Sequence, residues 1–146
     1  NKFIKKEDVA VYQNENQFPK ATPENLINTA KKFLGLRYLW AGVSGFGFDC
    51  SGFTYSLFKS YGITIPRDSG PQSKNGIEVK KDEIQPGDLL FFASNNGTGS
   101  VHHVAMYIGD GLMIQAPNAA RSVEIIPLNT PGYIEEFSGA RRYWEE

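Results

Sequence analysis

The sequence is poor in residues that bind metals or form cross-links. It contains one cysteine among 146 residues, which excludes an internal disulfide and any zinc site built from several cysteines. Its two histidines are neighbours, His102 and His103, and this spacing is unfavourable for two ligands of one metal ion. We therefore expect no structural metal and no bound cofactor.

The sequence also lacks a strong net charge and a long apolar run. Its 15 basic and 16 acidic residues give a net charge of -1, so it has no positive field to hold a polyanion, and nucleic acid is not an expected partner. No run approaches the roughly 18 apolar residues that span a bilayer, which predicts no transmembrane segment. The chain starts at Asn1 rather than methionine, so we expect its natural start upstream, and a secreted and a cytoplasmic location both stay open.

Two stretches have the spacing of amphipathic helices. The first begins after Thr22, a candidate N-cap, and has apolar residues at helical spacing until Gly35, a candidate stop. The second is predicted over residues 50–61, with Asp49 as the candidate N-cap and Gly62 as the stop. The single cysteine is thereby placed at a helix N-terminus.

The second half of the sequence has short apolar runs separated by turn residues. Strands are predicted at residues 89–92, 102–108, 112–116, 123–126 and 140–144, with a turn at Pro86-Gly87. Helices followed by a run of strands favour an α+β domain with a mainly antiparallel sheet. We assign residues 23–146 to this domain and the polar residues 1–22 to a linker or tail, which includes a possible lone strand around Val9.

Cys50 is the candidate nucleophile. The attacking species is the thiolate, and a helix N-terminus supplies about half a positive charge beside the sulfur, which predicts a lowered thiol pKa. The alternative is a buried cysteine that acts as a small apolar residue. Asp49, Ser51 and Gly52 are small or polar neighbours, and they favour an accessible sulfur.

His103 is the candidate base, because a nucleophilic thiol needs a proton acceptor that titrates near neutral pH. If Val104 and Met106 pack in the core, strand alternation points His103 to the other sheet face. The alternative is a surface histidine pair without a role.

Gln115 is the candidate group that orients the imidazole. A three-residue loop, Gly109-Asp110-Gly111, pairs Ile108 with Leu112 and puts Gln115 on the face of His103 as a diagonal neighbour. A two-residue Asp110-Gly111 loop puts it on the opposite face, so the assignment depends on the loop length. The alternative role for Gln115 is that of a solvated strand residue.

Six blocks of the sequence resemble, in order, the NlpC-type cell-wall peptidases, which are papain-like enzymes with a Cys-His-polar triad. The blocks lie at residues 35–42, 48–53, 65–69, 86–92, 103–109 and 140–144, and the resemblance covers about residues 23–144. It implies a papain-like α+β fold with the triad Cys50, His103 and Gln115, and Tyr38 as a hydroxyl near the oxyanion. The family often has a second histidine where this sequence has Gln115, although the papain branch also uses a neutral amide there.

The resemblance also implies a substrate. The family cuts peptidoglycan stem peptides, typically between γ-D-glutamate and a diamino acid. Within it, the sequence is most similar to endopeptidases that act on short stem peptides with a free N-terminal L-alanine. The residues that match the pocket of those enzymes are Tyr38, Trp40, Asp49, Ser51, Ser69 and His102. Asp49 has two readings, a helix cap or a partner of the substrate amine, and residues 1–22 resemble the last strand and linker of an upstream SH3-like barrel, as those relatives carry.

Two other functions stay open from the sequence. A related lecithin-retinol-acyltransferase-like branch uses the same residue types for acyl transfer, but there the histidine precedes the cysteine. In this sequence Cys50 precedes His103, which favours the peptidase. A catalytically inactive cell-wall-binding module of the same fold is the second alternative, suggested by the departure at Gln115.

Overall fold

The computed structural model describes residues 18–34, 49–117 and 123–144. Three helices come first along the described chain, namely α1 (Pro23–Lys31), α2 (Cys50–Lys59) and the short α3 (Ser69–Gln72). The strands that follow are β1 (Ile77–Val79), β2 (Leu89–Ala93), β3 (Val101–Gly109), β4 (Leu112–Gln115), β5 (Glu124–Pro127) and β6 (Phe137–Arg142). Single helical turns lie at Lys81–Glu83, Ser94–Gly97 and Ile134–Glu136. The strand order is β1-β6-β2-β3-β4-β5, with every pair antiparallel, which confirms the predicted α+β class.

Helix α1 begins where the sequence predicts. The Thr22 hydroxyl accepts a hydrogen bond from the Asn25 backbone N–H at 3.1 Å, which satisfies one of the unpaired donors of the first turn. The α-helix ends at Lys31, earlier than predicted, and the predicted stop at Gly35 lies outside the described residues. After Lys31, the N–H groups of Lys32 to Leu34 bond to carbonyls three residues earlier, so the last turn tightens and the α-helix stops.

Helix α2 carries Cys50 as its first residue. The Asp49 carboxylate caps it by accepting the Gly52 N–H at 2.6 Å, as predicted. The helix ends at Lys59, two residues before the predicted end at Tyr61. The cause is Gly62, whose φ of 78° reverses the chain and lets the Ile63 N–H bond back to Phe58 O at 3.0 Å.

The sheet has two buried faces. On the helix side, Val104, Met106 and Ile114 pack with the apolar residues of α1 and α2. On the other side, Ala105 and Met113 pack in a second cluster with Leu90, Phe92 and Ala140. Strand alternation in β3 therefore places His103 on the face that the helices do not cover, as predicted.

The β3–β4 hairpin combines both loop lengths that the sequence leaves open. Its turn is the two-residue Asp110-Gly111, with φ of 56° and 74°, and Gly109 lies opposite Leu112. One strand residue further, the register shifts, so that Tyr107 pairs with Met113 and Met106 with Ile114. This bulge at Ile108 restores the pairing that a three-residue loop would give, and Gln115 keeps the face of His103.

Candidate active site

Cys50 and His103 meet at one cavity of about 500 Å³, although they come from different layers of the fold. Cys50 is half-buried at the start of α2, and His103, 8% exposed, lies near the start of β3. The described residues that line the cavity are Asp49, Cys50, Phe92, His102, His103, Pro117, Gly132, Tyr133 and Glu136. The backbone of Val104, which follows His103 in the chain, also acts on the Cys50 thiol and lowers its pKa.

Gln115 lies against the imidazole. Its amide oxygen is 2.6 Å from Nε2 of His103, and its side chain is fully buried. Since an amide oxygen can only accept, this contact makes Nε2 the protonated nitrogen and leaves Nδ1 available to take a proton. The arrangement is that of a nucleophile, a base and an orienting group.

Two further residues hold Gln115, and the sequence did not indicate them. The amide nitrogen of Gln115 donates to Oε2 of Glu124 at 2.8 Å and to the hydroxyl of Tyr133 at 3.0 Å. Glu124 reaches it because β5 pairs with β4 and places the two residues opposite each other. That register depends on the connection between β4 and β5, which no periodicity in the sequence predicts.

The predicted lowering of the Cys50 pKa is wrong. Burial raises the pKa of the Cys50 thiol, and the negative charge of Asp49 acts in the same direction. Hydrogen bonding by the backbones of Val104 and Ser51 lowers it, but by less than burial raises it. The helix N-terminus is therefore outweighed by desolvation, which could not be read from the sequence.

The imidazole is neutral as well. Burial lowers the pKa of His103, and the hydrogen bond that the ring donates to Gln115 opposes this without cancelling it. At neutral pH the resting site thus holds a thiol and an uncharged imidazole rather than a preformed ion pair. With both groups uncharged, transfer of the thiol proton to the imidazole would have to accompany attack by the sulfur.

Alkylation of Cys50 tests this protonation state. We expect iodoacetamide to react more slowly than with a free thiol at pH 6, and the rate to rise with pH to a midpoint above about 8.5, the ordinary cysteine pKa. Asp49→Asn should shift the midpoint down, because it removes a neighbouring negative charge but keeps a capping side chain. A rate that is already at its plateau below pH 7 would show a preformed thiolate instead.

Asp49 belongs to an ionic cluster at the rim of the cavity. Its Oδ1 lies 3.2 Å from Nη1 of Arg67, which also donates to the Ser51 hydroxyl at 3.0 Å. Burial raises the pKa of Asp49, but the hydrogen bonds from Arg67 and Gly52 and the Arg67 charge outweigh it, and the net shift is downward. Asp49 is therefore a carboxylate, and Arg67 is a site residue that the sequence did not indicate.

The other predicted pocket residues differ in whether they line the cavity. His102 lines the cavity, and its Nε2 lies 2.7 Å from Oε1 of Glu136, another lining residue absent from the sequence prediction. Among the described residues, the lining includes neither Ser51, which is buried behind Asp49, nor Ser69, which begins α3. Tyr38 and Trp40 lie outside the described residues.

Residues 18–34, 49–117 and 123–144 contain no group of three or more His, Cys, Asp or Glu side chains that could hold a metal ion. Within these ranges no helix is both long and apolar enough to cross a bilayer.

Among known proteins, two Bacillus relatives of this chain share one name. It is 66% identical over 141 residues to a gamma-D-glutamyl-L-lysine dipeptidyl-peptidase of Bacillus cereus. The aligned region covers 97% of this chain and 42% of that protein. It is 46% identical over 145 residues to a protein of the same name from Bacillus subtilis. This aligned region covers 99% of this chain and 48% of that protein. The chain therefore spans less than half the length of these two relatives.

A solved structure and a family model give the same placement. The crystal structure of an NlpC/P60 family protein from Bacillus cereus superposes with a TM-score of 0.83 at 66% identity, covering 96% of this chain and 46% of that one. The sequence model of the NlpC/P60 family matches residues 35–142, a range that contains the cysteine, the histidine and the glutamine of the cavity. With these matches, the chain belongs to the NlpC/P60 family.

Proposed function

We propose that this chain is a cysteine endopeptidase that hydrolyses the γ-D-glutamyl-diamino-acid bond of peptidoglycan stem peptides with a free N-terminal L-alanine. The observation that carries the proposal is the meeting of Cys50 and His103 in one cavity, with Gln115 on the far nitrogen of the imidazole. The names of the two Bacillus relatives, which specify a γ-D-glutamyl-L-lysine bond, support this choice of bond.

The proposed chemistry follows from the neutral thiol and imidazole. His103 takes the thiol proton on Nδ1 as the sulfur attacks the γ-carbonyl carbon, and a tetrahedral intermediate with a negatively charged oxygen forms. Collapse of this intermediate breaks the C–N bond, and the imidazolium gives its proton to the leaving amine. The γ-glutamyl thioester left on Cys50 is then hydrolysed by a water whose proton His103 accepts, which returns the thiol. Tyr38 is proposed to stabilise the oxyanion.

The rim of the cavity is proposed to read the free end of the substrate. Asp49 is a carboxylate, and in the described chain its Oδ2 has a contact of 3.4 Å with Arg67 Nη2, longer than the contacts of Oδ1. This oxygen is the one that an ammonium group would approach. We also propose that Trp40 and His102 contribute to the same pocket, and that Ser51 supports it through its hydrogen bond to Asp49. Residues 23–146 are proposed to form the catalytic domain, preceded by the linker or tail of an upstream SH3-like barrel.

The direct test uses the tripeptide L-Ala-γ-D-Glu-L-Lys and mass detection of the products. We expect L-Ala-D-Glu and free lysine, since attack at the γ-carbonyl leaves the glutamyl part on the enzyme and releases the amine of the diamino acid. The matched control is the same tripeptide with an α-linked glutamate, which presents a differently placed carbonyl. Binding of the tripeptide without any product would favour the cell-wall-binding alternative, and transfer of the dipeptide to an added amine in place of water would favour the acyltransferase.

A further inference from the structure

The amide of Gln115 is held at both ends, and one of its partners has a fixed polarity. Its oxygen faces His103 Nε2 at 2.6 Å, and its nitrogen donates to Glu124 Oε2 at 2.8 Å. We propose that Glu124 is a positioning residue, an inference that rests on the proposed function. Its carboxylate fixes the orientation of the Gln115 amide. That orientation in turn decides which ring nitrogen of His103 carries the proton.

The donors and acceptors between Glu124 and His103 can be arranged in one direction. A carboxylate at neutral pH has no proton to donate, so the group that faces it must be the NH2 of Gln115. The amide oxygen of Gln115 then has to point at His103, and because this oxygen only accepts, Nε2 has to be the N–H. In a neutral imidazole the other nitrogen, Nδ1, is then bare and can accept the thiol proton of Cys50.

None of the other three groups at this place imposes that direction. An amide can rotate by half a turn and exchange its oxygen and nitrogen, and a neutral imidazole can carry its proton on either nitrogen. The hydroxyl of Tyr133, at 3.0 Å from Gln115 Nε2, can donate or accept and would tolerate both orientations. Among the described partners of Gln115, Glu124 is the one that accepts only.

The surroundings make the constraint effective. Gln115 is fully buried, so water does not replace a lost partner at its amide. Gln115 and Glu124 are directly opposed in the β4–β5 pair, so the sheet backbone holds the carboxylate in place. With the amide reversed, its buried oxygen would face the half-buried Glu124 carboxylate at the distance of a hydrogen bond, and the two acceptors would have no proton between them.

The first test observes the tautomer and needs no substrate. In the ¹⁵N-labelled full chain at about pH 8, where an ordinary histidine is neutral, long-range ¹H–¹⁵N spectra should show His103 as the Nε2–H form. Glu124→Gln keeps the shape but can donate or accept, and it should introduce a population of the Nδ1–H form. Glu78→Gln, on the opposite edge strand β1, is the matched control and should leave the spectrum of His103 unchanged.

The second test measures turnover of the tripeptide. Gln115→Ala should lower kcat by about tenfold or more with little change in KM, and Glu124→Gln should lower kcat by about tenfold in the same way. Because Glu124 acts through Gln115, adding Glu124→Gln to Gln115→Ala should cause little further loss.

Three results would overturn the proposal: a wild-type His103 in the Nδ1–H form, an unchanged tautomer in Glu124→Gln, or fully additive losses in the double variant. If the Glu124 variant does not fold, the wild-type spectrum still decides the first of these. If no peptide is cleaved, the proposed function fails, whereas the tautomer result is unaffected.

Discussion

Replacing Cys50 by alanine is expected to abolish hydrolysis of L-Ala-γ-D-Glu-L-Lys while leaving the fold intact. Without the sulfur no thioester can form, and loss of a nucleophile reduces turnover by on the order of a thousandfold or more. The structural cost is small, because Cys50 is a half-buried first residue of α2 and its replacement removes one atom from the cavity wall. The measurements are the rate of product formation and the thermal unfolding temperature.

Ser56→Ala is the matched control for this variant. Ser56 is a half-buried residue of similar size in the same helix, and it is not among the described residues that line the cavity. It should leave the rate near that of the unmodified protein. Substantial turnover in Cys50→Ala, with product masses unchanged, would remove Cys50 from the proposed mechanism.

Acetylating the N-terminal amine of the tripeptide is expected to lower kcat/KM by about ten- to hundredfold. A hydrogen bond to a charged group contributes about 1.5–3 kcal/mol, and the acetylated peptide has no charge for Asp49 to bind. The effect stays within this range because the Asp49 side chain is 56% exposed and water screens the interaction. The measurement is kcat/KM for the free and the acetylated peptide.

Asp49→Asn separates the two roles of this residue. Asparagine caps a helix as well as aspartate does, so the variant should unfold at nearly the same temperature. It should nevertheless lose most of its preference for the free amine. Equal kcat/KM values for the two peptides in the unmodified protein would show that Asp49 is a helix cap without a role in substrate recognition.

The sequence predicted well those parts of the site that depend on local patterns. The position of Cys50 follows from a cap and a helix start, both of which have strong residue preferences. The orientation of His103 follows from strand alternation, which needs only the identity of its neighbours in the chain. Gln115 required the pairing of two strands joined by a short loop, and there the sequence left two registers open.

Most of the contacts that the sequence did not predict come from turns and connecting segments. Arg67 reaches Asp49 from the segment before α3, and Glu136 and Tyr133 come from the turns between β5 and β6. Their positions depend on loop geometry, for which no periodic pattern exists. The direction of the Cys50 pKa was missed for a related reason, since desolvation depends on what packs around a residue.

The bulge at Ile108 makes the length of the β3–β4 hairpin as important as its composition. If Ile108 were part of the regular ladder, the turn Asp110-Gly111 would place Gln115 in the apolar layer beneath the helices. The bulge at Ile108 places Gln115 on the face of His103 instead. Deleting Ile108 would leave a regular hairpin in which Tyr107 still pairs with Met113, so Gln115 would keep its face. The position of Gln115 thus depends on the pairing of Tyr107 with Met113, and a change of length that shifts this pairing by one residue would turn Gln115 to the opposite face.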